Sequence, residues 1–122
     1  MNFGEMVNSL RIARGKTLRQ FCLENGGIDP SNWSKIERGV MSPPQDEKKL
    51  KQIAKVLGVS LKSAEWEELK DKASIGAGII PPDILSDEKT LNCLPMFFRT
   101  IRSEKPTPEE LDKLINKIKR GE

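Results

Sequence analysis

The sequence predicts an all-α protein, in which a compact bundle of five helices precedes a C-terminal helical extension. Apolar residues recur through most of the chain at the three- and four-residue spacing of helix faces. Glycines, prolines and small polar residues bound the segments with this spacing, as they bound helices. The 122 residues include two Trp, four Phe and no Tyr. A core must therefore be largely aliphatic, which favours a helical bundle over an aromatic-rich β-sandwich.

The first two predicted helices are short. Helix one is expected over residues 3–14 and ends at Gly15. Its apolar face consists of Phe3, Met6, Val7 and Leu10. Helix two is expected over residues 18–25, between the capping residue Thr17 and Gly26.

The stretch DPSNWSKIERG predicts a third short helix over residues 30–38. Asp29 is a favourable N-cap, and Pro30 suits the first helical position, where its missing N–H costs no hydrogen bond. Gly39 ends the helix. Most of this helix is polar, yet it carries the large aromatic residue Trp33.

A fourth helix over residues 44–57 and a fifth helix reaching about residue 73 complete the predicted bundle. Ser60 is the expected cap of the fifth helix. The apolar faces of the two helices consist of Leu50, Ile53, Ala54 and Leu57, and of Leu61, Ala64, Trp66 and Leu69.

The composition changes after the fifth helix. Residues 74–83 hold two glycines and two adjacent prolines, which predict a linker between a first domain, residues 1–73, and an extension, residues 84–122. The extension is expected to hold two helices. Pro95 is expected to kink the first or to start a new one, and a capping box at Thr107 opens the second. Their apolar faces consist of Leu91, Leu94, Phe97, Phe98 and Ile101, and of Leu111, Leu114, Ile115 and Ile118.

The residue types argue against a catalytic site. The chain contains no histidine, so the commonest general base and the commonest zinc ligand are missing. The two cysteines, Cys22 and Cys93, lie far apart and are expected as reduced core residues. Adjacent acids in the extension fall in first helical turns, where they stabilise the helix dipole. We therefore expect neither an enzyme nor a bound metal or cofactor.

The chain shows no targeting or membrane signal at its start or along its length. The N-terminal residues lack the basic region and apolar run of a signal peptide. No apolar stretch approaches the ~20 residues that a membrane span requires. We therefore expect a cytoplasmic protein.

The excess positive charge lies in the first domain. Residues 1–73 hold 13 Lys and Arg against 10 Asp and Glu, whereas residues 74–122 hold eight of each. The net charge of +3 permits a nucleic-acid partner without requiring one.

Helices two and three suit DNA binding. Two short helices joined by a tight turn, with the second polar outside and apolar inside, form a helix-turn-helix. The DNA major groove is ~12 Å wide and admits one α-helix. The leading end of that helix must present small or hydrogen-bonding side chains, and its positive dipole also attracts phosphate. The residues that meet this demand are Ser31, Asn32, Ser34 and Lys35.

The segments LRIAR, KTLRQFCLENGGIDPSNWSKIERGVMSP and LKQIAKVLGVS together resemble the XRE family, the Cro/lambda-repressor-like helix-turn-helix proteins. The resemblance covers about residues 3–73 and depends on the combination of segments, since each segment alone is weak evidence. It implies a lambda-repressor-like bundle and a transcriptional regulator, with a repressor favoured. It also implies a double-stranded DNA operator and a homodimer, because such operators are usually two half-sites related by a two-fold axis.

The family pattern implies roles for particular residues. Those expected to contact base edges are Ser31, Asn32, Ser34 and Lys35. Those expected to contact phosphates are Thr17, Arg19, Gln20 and Arg38. Trp33 is expected to face the core and attach the reading helix to the bundle, so its indole N–H needs a partner. The alternative is that Trp33 contacts thymine methyls or a sugar edge.

The sequence departs from the family pattern in three places. The turn ENGGIDP is about one residue longer than the common form, Leu18 stands where relatives often have a glutamine, and Pro30 lacks an amide donor. Helix two is therefore expected to contact DNA through Arg19 or Gln20. Glu37 is expected to pair with a nearby arginine, because a carboxylate repels phosphate. Further candidates for phosphate contact, with a solvated charged surface as the alternative, are Arg11, Arg14 and Lys16.

The apolar face of the extension predicts a partner, because two helices cannot bury it alone. The residues expected at this interface are Leu91, Leu94, Phe97, Phe98 and Ile101. A second copy of the chain is the favoured occupant. The alternative is a protein toxin, since some XRE-family proteins of this size, such as the HigA-like ones, bind a small toxin and repress their own operon. A third hypothesis is an interaction module that has lost DNA binding, which the polar residues of helix three argue against.

Overall fold

The computed structural model describes residues 1–105 and 107–120, and within the second segment the side chains of residues 107–113 and 116. All regular structure in these residues is helical, which confirms the all-α prediction. The chain divides into two compact units, Met1–Pro81 and Pro82–Glu122. Each unit has its own set of helices.

The first unit contains five helices, as predicted. They are α1 (Phe3–Ala13), α2 (Leu18–Glu24), α3 (Pro30–Glu37), α4 (Glu47–Leu57) and α5 (Ala64–Gly76). Each follows a residue whose side-chain oxygen accepts a hydrogen bond from a backbone N–H in its first turn. These capping residues are Asn2, Thr17, Asp29, Asp46 and Ser63. The start of each helix is therefore determined by a local hydrogen bond that short-range sequence signals encode.

The start of α4 lies three residues further along the chain than predicted. α4 begins at Glu47, not at residue 44. The amide Nε2 of Gln45 donates to the carbonyl oxygen of Ala73 in α5 at 2.8 Å. Asp46 caps α4 by accepting the Lys48 N–H at 2.9 Å, so Gln45 belongs to the segment before the helix.

The start of α5 also lies further along the chain than predicted. Ser63, not Ser60, is its cap, and the Oγ of Ser63 accepts the Trp66 N–H at 3.2 Å. Ser60 lies in the preceding turn, where its carbonyl accepts the Ser63 hydroxyl at 2.6 Å. At its other end α5 reaches Gly76, within the segment expected as a linker.

One continuous apolar core holds the five helices together, and every helix contributes to it. Its largest fully buried side chains are Trp33, Phe3, Phe21, Ile53, Leu69, Val7 and Cys22. The expected apolar faces of helices one and four therefore point inward, whereas on helix five Trp66 and Leu69 are buried but Leu61 and Ala64 are exposed. Cys22 is a buried free thiol whose pKa is raised by burial. Burying a side chain of this size stabilises a fold by ~1.5–3 kcal/mol.

The backbones of α1 and α3 meet at Gly4. A Cβ built on Gly4 would lie 2.6 Å from the carbonyl oxygen of Glu37 and closer still to that of Ile36. Such contacts leave no room for any side chain. Gly4 therefore allows α1 to lie directly against the last turn of α3.

The second unit contains α6 (Pro82–Leu85), α7 (Glu88–Glu104) and α8 (Pro108–Arg120). The short α6 was not expected from the sequence. α7 continues through Pro95 as one helix. The predicted capping box is confirmed, because the Glu110 N–H donates to the Thr107 Oγ1 at 3.2 Å and the Glu110 carboxylate accepts from the Thr107 N–H at 3.4 Å.

The described side chains of the second unit are all at least partly exposed. None is buried among residues 82–105, 107–113 and 116. The expected interface residues on α7 are half-buried, except Phe98, which is 43% exposed. The expectation that Cys93 lies in a core is wrong. Cys93 lies at the edge of the apolar face, about 40° around the helix from Phe97 and about 100° from Leu94. Leu114, Ile115 and Ile118 were expected on the apolar face of the last helix, and their side chains are not among the described ones.

Candidate nucleic-acid interface

Trp33 attaches α3 to the bundle. Its side chain is 1% exposed, and its ring centroid lies 4.8 Å from that of Phe21 in α2. The indole Nε1 donates to the Glu37 Oε2 at 2.6 Å. Both parts of the prediction are confirmed, since the ring faces the core and its N–H has a partner. The alternative, a contact between Trp33 and DNA, is excluded by this burial.

The Glu37 carboxylate joins α3 to α1. It accepts hydrogen bonds from Arg11 Nε at 2.8 Å, from Arg11 Nη2 at 3.0 Å and from Asn8 Nδ2 at 2.8 Å, in addition to the bond from Trp33. Its side chain is 6% exposed. A buried carboxylate with this many donors orients the groups around it. The expected pairing of Glu37 with an arginine is confirmed.

The charge of Glu37 depends on these donors. Burial by itself raises the pKa of the Glu37 carboxyl, but the hydrogen bonds from Arg11 and Asn8 outweigh this and lower the pKa below its ordinary value. The same pairing raises the pKa of the Arg11 guanidinium. At neutral pH the pair is therefore fully ionised, and the last turn of α3 is held by charge-assisted hydrogen bonds.

The side of α3 away from the core carries the predicted base-contacting residues. At about 100° per residue, Ser31, Lys35 and Arg38 lie roughly opposite Trp33, and Asn32 and Ser34 flank them. Ser31 and Asn32 are exposed, whereas Ser34 and Lys35 are half-buried. The structure thus brings all four residues together on one accessible, polar surface.

Among these residues, Ser34 already has an intramolecular partner. Its Oγ accepts a hydrogen bond from the Nε of Arg38 at 3.3 Å. The side chains of Asn32 and Lys35 make no hydrogen bond or ion pair with any described residue. They have unused donors, and Asn32 also has an acceptor, that base edges can satisfy.

The leading end of α3 offers fewer free N–H groups than helices usually do. Asp29 accepts the Ser31 N–H at 2.9 Å, and Pro30 has no N–H. An acidic cap also repels an approaching phosphate. This end of α3 therefore presents a carboxylate and a proline ring, which disfavours the phosphate binding expected from its dipole.

The four residues predicted to contact phosphates differ in the hydrogen bonds that they already make within the protein. Arg19 and Arg38 are exposed cations, and Arg19 has no polar partner among the described residues. The Thr17 Oγ1 caps α2 by accepting the Gln20 N–H at 3.1 Å. The Gln20 amide donates to Glu24 at 3.4 Å. Arg19 is therefore the most available of the candidates on α2.

Three other basic residues considered for phosphate contact are engaged within the bundle. Arg11 pairs with Glu37. Arg14 donates from its Nε to the carbonyl oxygen of Leu57 at 3.0 Å, and Lys16 forms an ion pair with Glu24. Arg11 and Arg14 link α1 to α3 and to the end of α4, so they contribute to the fold. The sequence did not distinguish them from the exposed cations.

The described residues contain no group of three or more His, Cys, Asp or Glu side chains placed to hold a metal ion. None of the described helices has the length and apolarity needed to cross a membrane. The arrangement around α3 offers hydrogen-bond donors, acceptors and positive charge on a rigid support.

No protein-family model, curated protein or solved structure matches this chain.

Proposed function

We propose that the protein is a sequence-specific transcriptional regulator that binds double-stranded DNA and reads the major groove with α3. The main observation in support of the proposal is that the two sides of α3 differ. Trp33 and Glu37 fix one side to the bundle, and the opposite side presents accessible polar and basic side chains. A rigid helix with this surface meets the geometric requirement for direct reading of base edges.

The proposal divides the polar residues by role. Asn32 and Lys35 are the main base-contacting residues, with Ser31 beside them. Ser34 contacts bases or orients Arg38, to which it is hydrogen bonded. Arg38 and Arg19 neutralise phosphates on either side of the groove, with Thr17 and Gln20 nearby on α2. Such phosphate contacts position a protein on DNA, whereas the base contacts give specificity.

The resemblance of the first unit to XRE-family proteins extends the proposal. It favours a cytoplasmic repressor that acts as a homodimer on two half-sites about one helical turn apart. The face formed by Leu91, Leu94, Phe97, Phe98 and Ile101 on α7 is the proposed dimer interface.

Selection of bound sequences from a pool of random DNA duplexes tests this function directly. We expect enrichment of a two-fold symmetric site, whose half-site spacing reports the dimer. Failure to enrich any sequence, together with binding that does not weaken as salt rises, would contradict the proposal. If ~6–10 phosphates are contacted per dimer, the slope of log K against log salt is expected to be roughly −5 to −9.

Substitutions on α3 separate base reading from phosphate contact. Asn32→Ala and Lys35→Ala are each expected to weaken binding to the selected site by ~1–3 kcal/mol and to change binding to random DNA little. Arg19→Ala is the matched control, because a phosphate contact weakens binding to both DNAs alike. Equal losses on both DNAs for Asn32→Ala would show that Asn32 does not read bases.

A second candidate function is that of an antitoxin, which binds a small protein toxin and represses its own operon. The exposed apolar side chains of the second unit favour it, since they offer a surface for another protein. Co-purification with the product of an adjacent reading frame would distinguish it. Sedimentation of the protein alone as a stable dimer through the second unit would favour the homodimer instead.

A further inference from the structure

Asn25, in the turn between α2 and α3, is a buried polar residue without a partner. It is 3% exposed. Neither its Nδ2 nor its Oδ1 has a hydrogen-bond partner among the described residues. Buried amides in folded proteins are nearly always hydrogen bonded, so this exception requires an explanation.

The residue that follows Asn25 is unusually open. Gly26 has no side chain and is exposed. Its N–H donates to no acceptor among the described residues, whereas the N–H groups of Gly27 and Ile28 both donate to the Cys22 carbonyl. Gly26 and Gly27 both have a φ of 78°, in the left-handed region. Two successive glycines give this turn more conformational freedom than any other residue pair would.

We propose that Asn25 is a site of spontaneous deamidation. The backbone nitrogen of Gly26 loses its proton and attacks the side-chain carbonyl carbon of Asn25. A bond forms between this nitrogen and the Asn25 Cγ, the Cγ–Nδ2 bond breaks as the NH2 group takes up a proton and leaves as ammonia, and a cyclic succinimide results. Water then opens either carbonyl of this ring to give aspartate or isoaspartate. The net reaction consumes one water and releases one ammonia, with no oxidation or reduction.

Three features of the turn favour this reaction at Asn25. The next residue is an exposed glycine, so no Cβ shields its nitrogen. That nitrogen is not tied to an acceptor, and the Asn25 amide is not held by hydrogen bonds. Ring closure requires the Asn25 ψ angle to rotate from its 41°, so the reaction proceeds from a locally opened turn. Openings of single turns occur without global unfolding.

The other asparagines lack this combination. Among the six asparagines of the chain, only Asn25 precedes a glycine. The Asn2 Oδ1 accepts the Glu5 N–H at 2.8 Å, and the Asn8 amide donates to Glu37 at 2.8 Å. Asn32, Asn92 and Asn116 lie within helices, and each precedes a residue that has a Cβ. They provide internal controls in the same molecule.

The product is incompatible with the closed turn. Aspartate places a carboxylate at a buried position where the amide already finds no hydrogen-bond donor, and isoaspartate adds a methylene group to the main chain. Both changes disturb the bonds from Gly27 and Ile28 to Cys22 that join α2 to α3. Deamidation therefore disrupts the arrangement of α2 and α3 slowly and irreversibly. The loss of DNA binding that would follow depends on the proposed function.

Peptide mapping by mass spectrometry tests the proposal on the folded full-length protein, without DNA. The protein is incubated in heavy-oxygen water at mildly alkaline pH and body temperature. We expect Asn25 to convert several-fold faster than Asn32 or Asn92, with one heavy oxygen incorporated and a succinimide detected. Asn25→Gln, which disfavours ring closure, is expected to abolish the modification at this position. Equal rates at all three asparagines, or conversion of Asn25 only in urea, would overturn it.

A second measurement tests the consequence. Asn25→Asp reproduces one product and is expected to lower the melting temperature below that of the wild type. Asn25→Leu, which removes the unpaired polar atoms at similar volume, is expected to keep or raise it. An Asn25→Asp protein as stable as the wild type would contradict the proposed loss of structure. Both measurements remain informative if the protein does not bind DNA.

Discussion

The two units of the chain contain helices of similar amphipathic pattern, yet they differ in what covers their apolar faces. In the first unit, all five helices contribute to one core around Trp33, Phe3 and Phe21. In the second unit, no described side chain is buried. Helical periodicity therefore predicts which side of a helix avoids water, but it does not predict whether the same chain supplies the cover.

The difference between the units fits the different roles that we propose for them. A helix that reads base edges must hold its side chains in one orientation, and the buried contacts of Trp33 and Glu37 provide this for α3. An association surface must instead remain accessible until its partner arrives. The partly exposed face of α7, in which Phe98 is 43% exposed, has that property.

The largest expected effect is that of removing the aromatic anchor of the first unit. Trp33→Ala is expected to lower the free energy of unfolding by ~3–5 kcal/mol, because it leaves a cavity beside Phe21 and removes a donor to Glu37. Phe98→Ala in the second unit is the matched control, with an expected change below ~1 kcal/mol in a monomer. Urea denaturation followed by circular dichroism measures both. Similar losses for the two variants would show that the second unit also has a core.

The next effect depends on pH. Glu37→Gln is expected to destabilise the first unit by ~1–3 kcal/mol at neutral pH, because it removes the charge that Arg11 pairs with. The pKa of Glu37 is lower in the folded protein than its ordinary 4.5. The stabilisation is thus complete above pH 4.5 and is lost as the pH falls through the folded pKa.

The difference in stability between the wild type and Glu37→Gln should therefore shrink as the pH falls below 4.5. Urea midpoints measured over a pH series provide the comparison. Glu24→Gln, which affects an exposed ion pair with Lys16, is the control and should change stability little at any pH. A difference for Glu37→Gln that stays constant to acidic pH would show that the carboxylate charge contributes nothing.

The parts of the fold that the sequence predicted are those with local causes. Helix starts at Thr17 and Asp29 follow from caps that lie within four residues of their partners. The starts of α4 and α5 were missed although their caps, Asp46 and Ser63, are equally local, because several neighbouring residues are able to cap each helix. The contact of Gln45 with Ala73 in α5, by contrast, depends on a distant partner. Likewise, only the folded structure shows that Arg11 is committed to Glu37 whereas Arg19 remains available.

The exposed cysteine of α7 shows a related limit. Cys93 lies in an apolar-rich sequence, and composition alone suggested that it is buried. Because no described side chain of the second unit is buried, Cys93 is exposed as well. The polar side of α3 was easier to predict. Its prediction requires only that Ser31, Asn32 and Lys35 lie away from Trp33 on one short helix.

The smallest expected change in stability is that of removing the second unit altogether. A chain ending at Pro81 keeps every residue of the core, so its free energy of unfolding is expected to stay within ~0.5 kcal/mol of the wild type. Its self-association should be lost, because the proposed dimer interface is gone, and binding to a two-fold DNA site should weaken. Sedimentation velocity and urea denaturation measure the two properties separately. A truncated chain that still dimerises would move the interface to the first unit, around α5, and an unfolded one would show that the second unit supports the bundle.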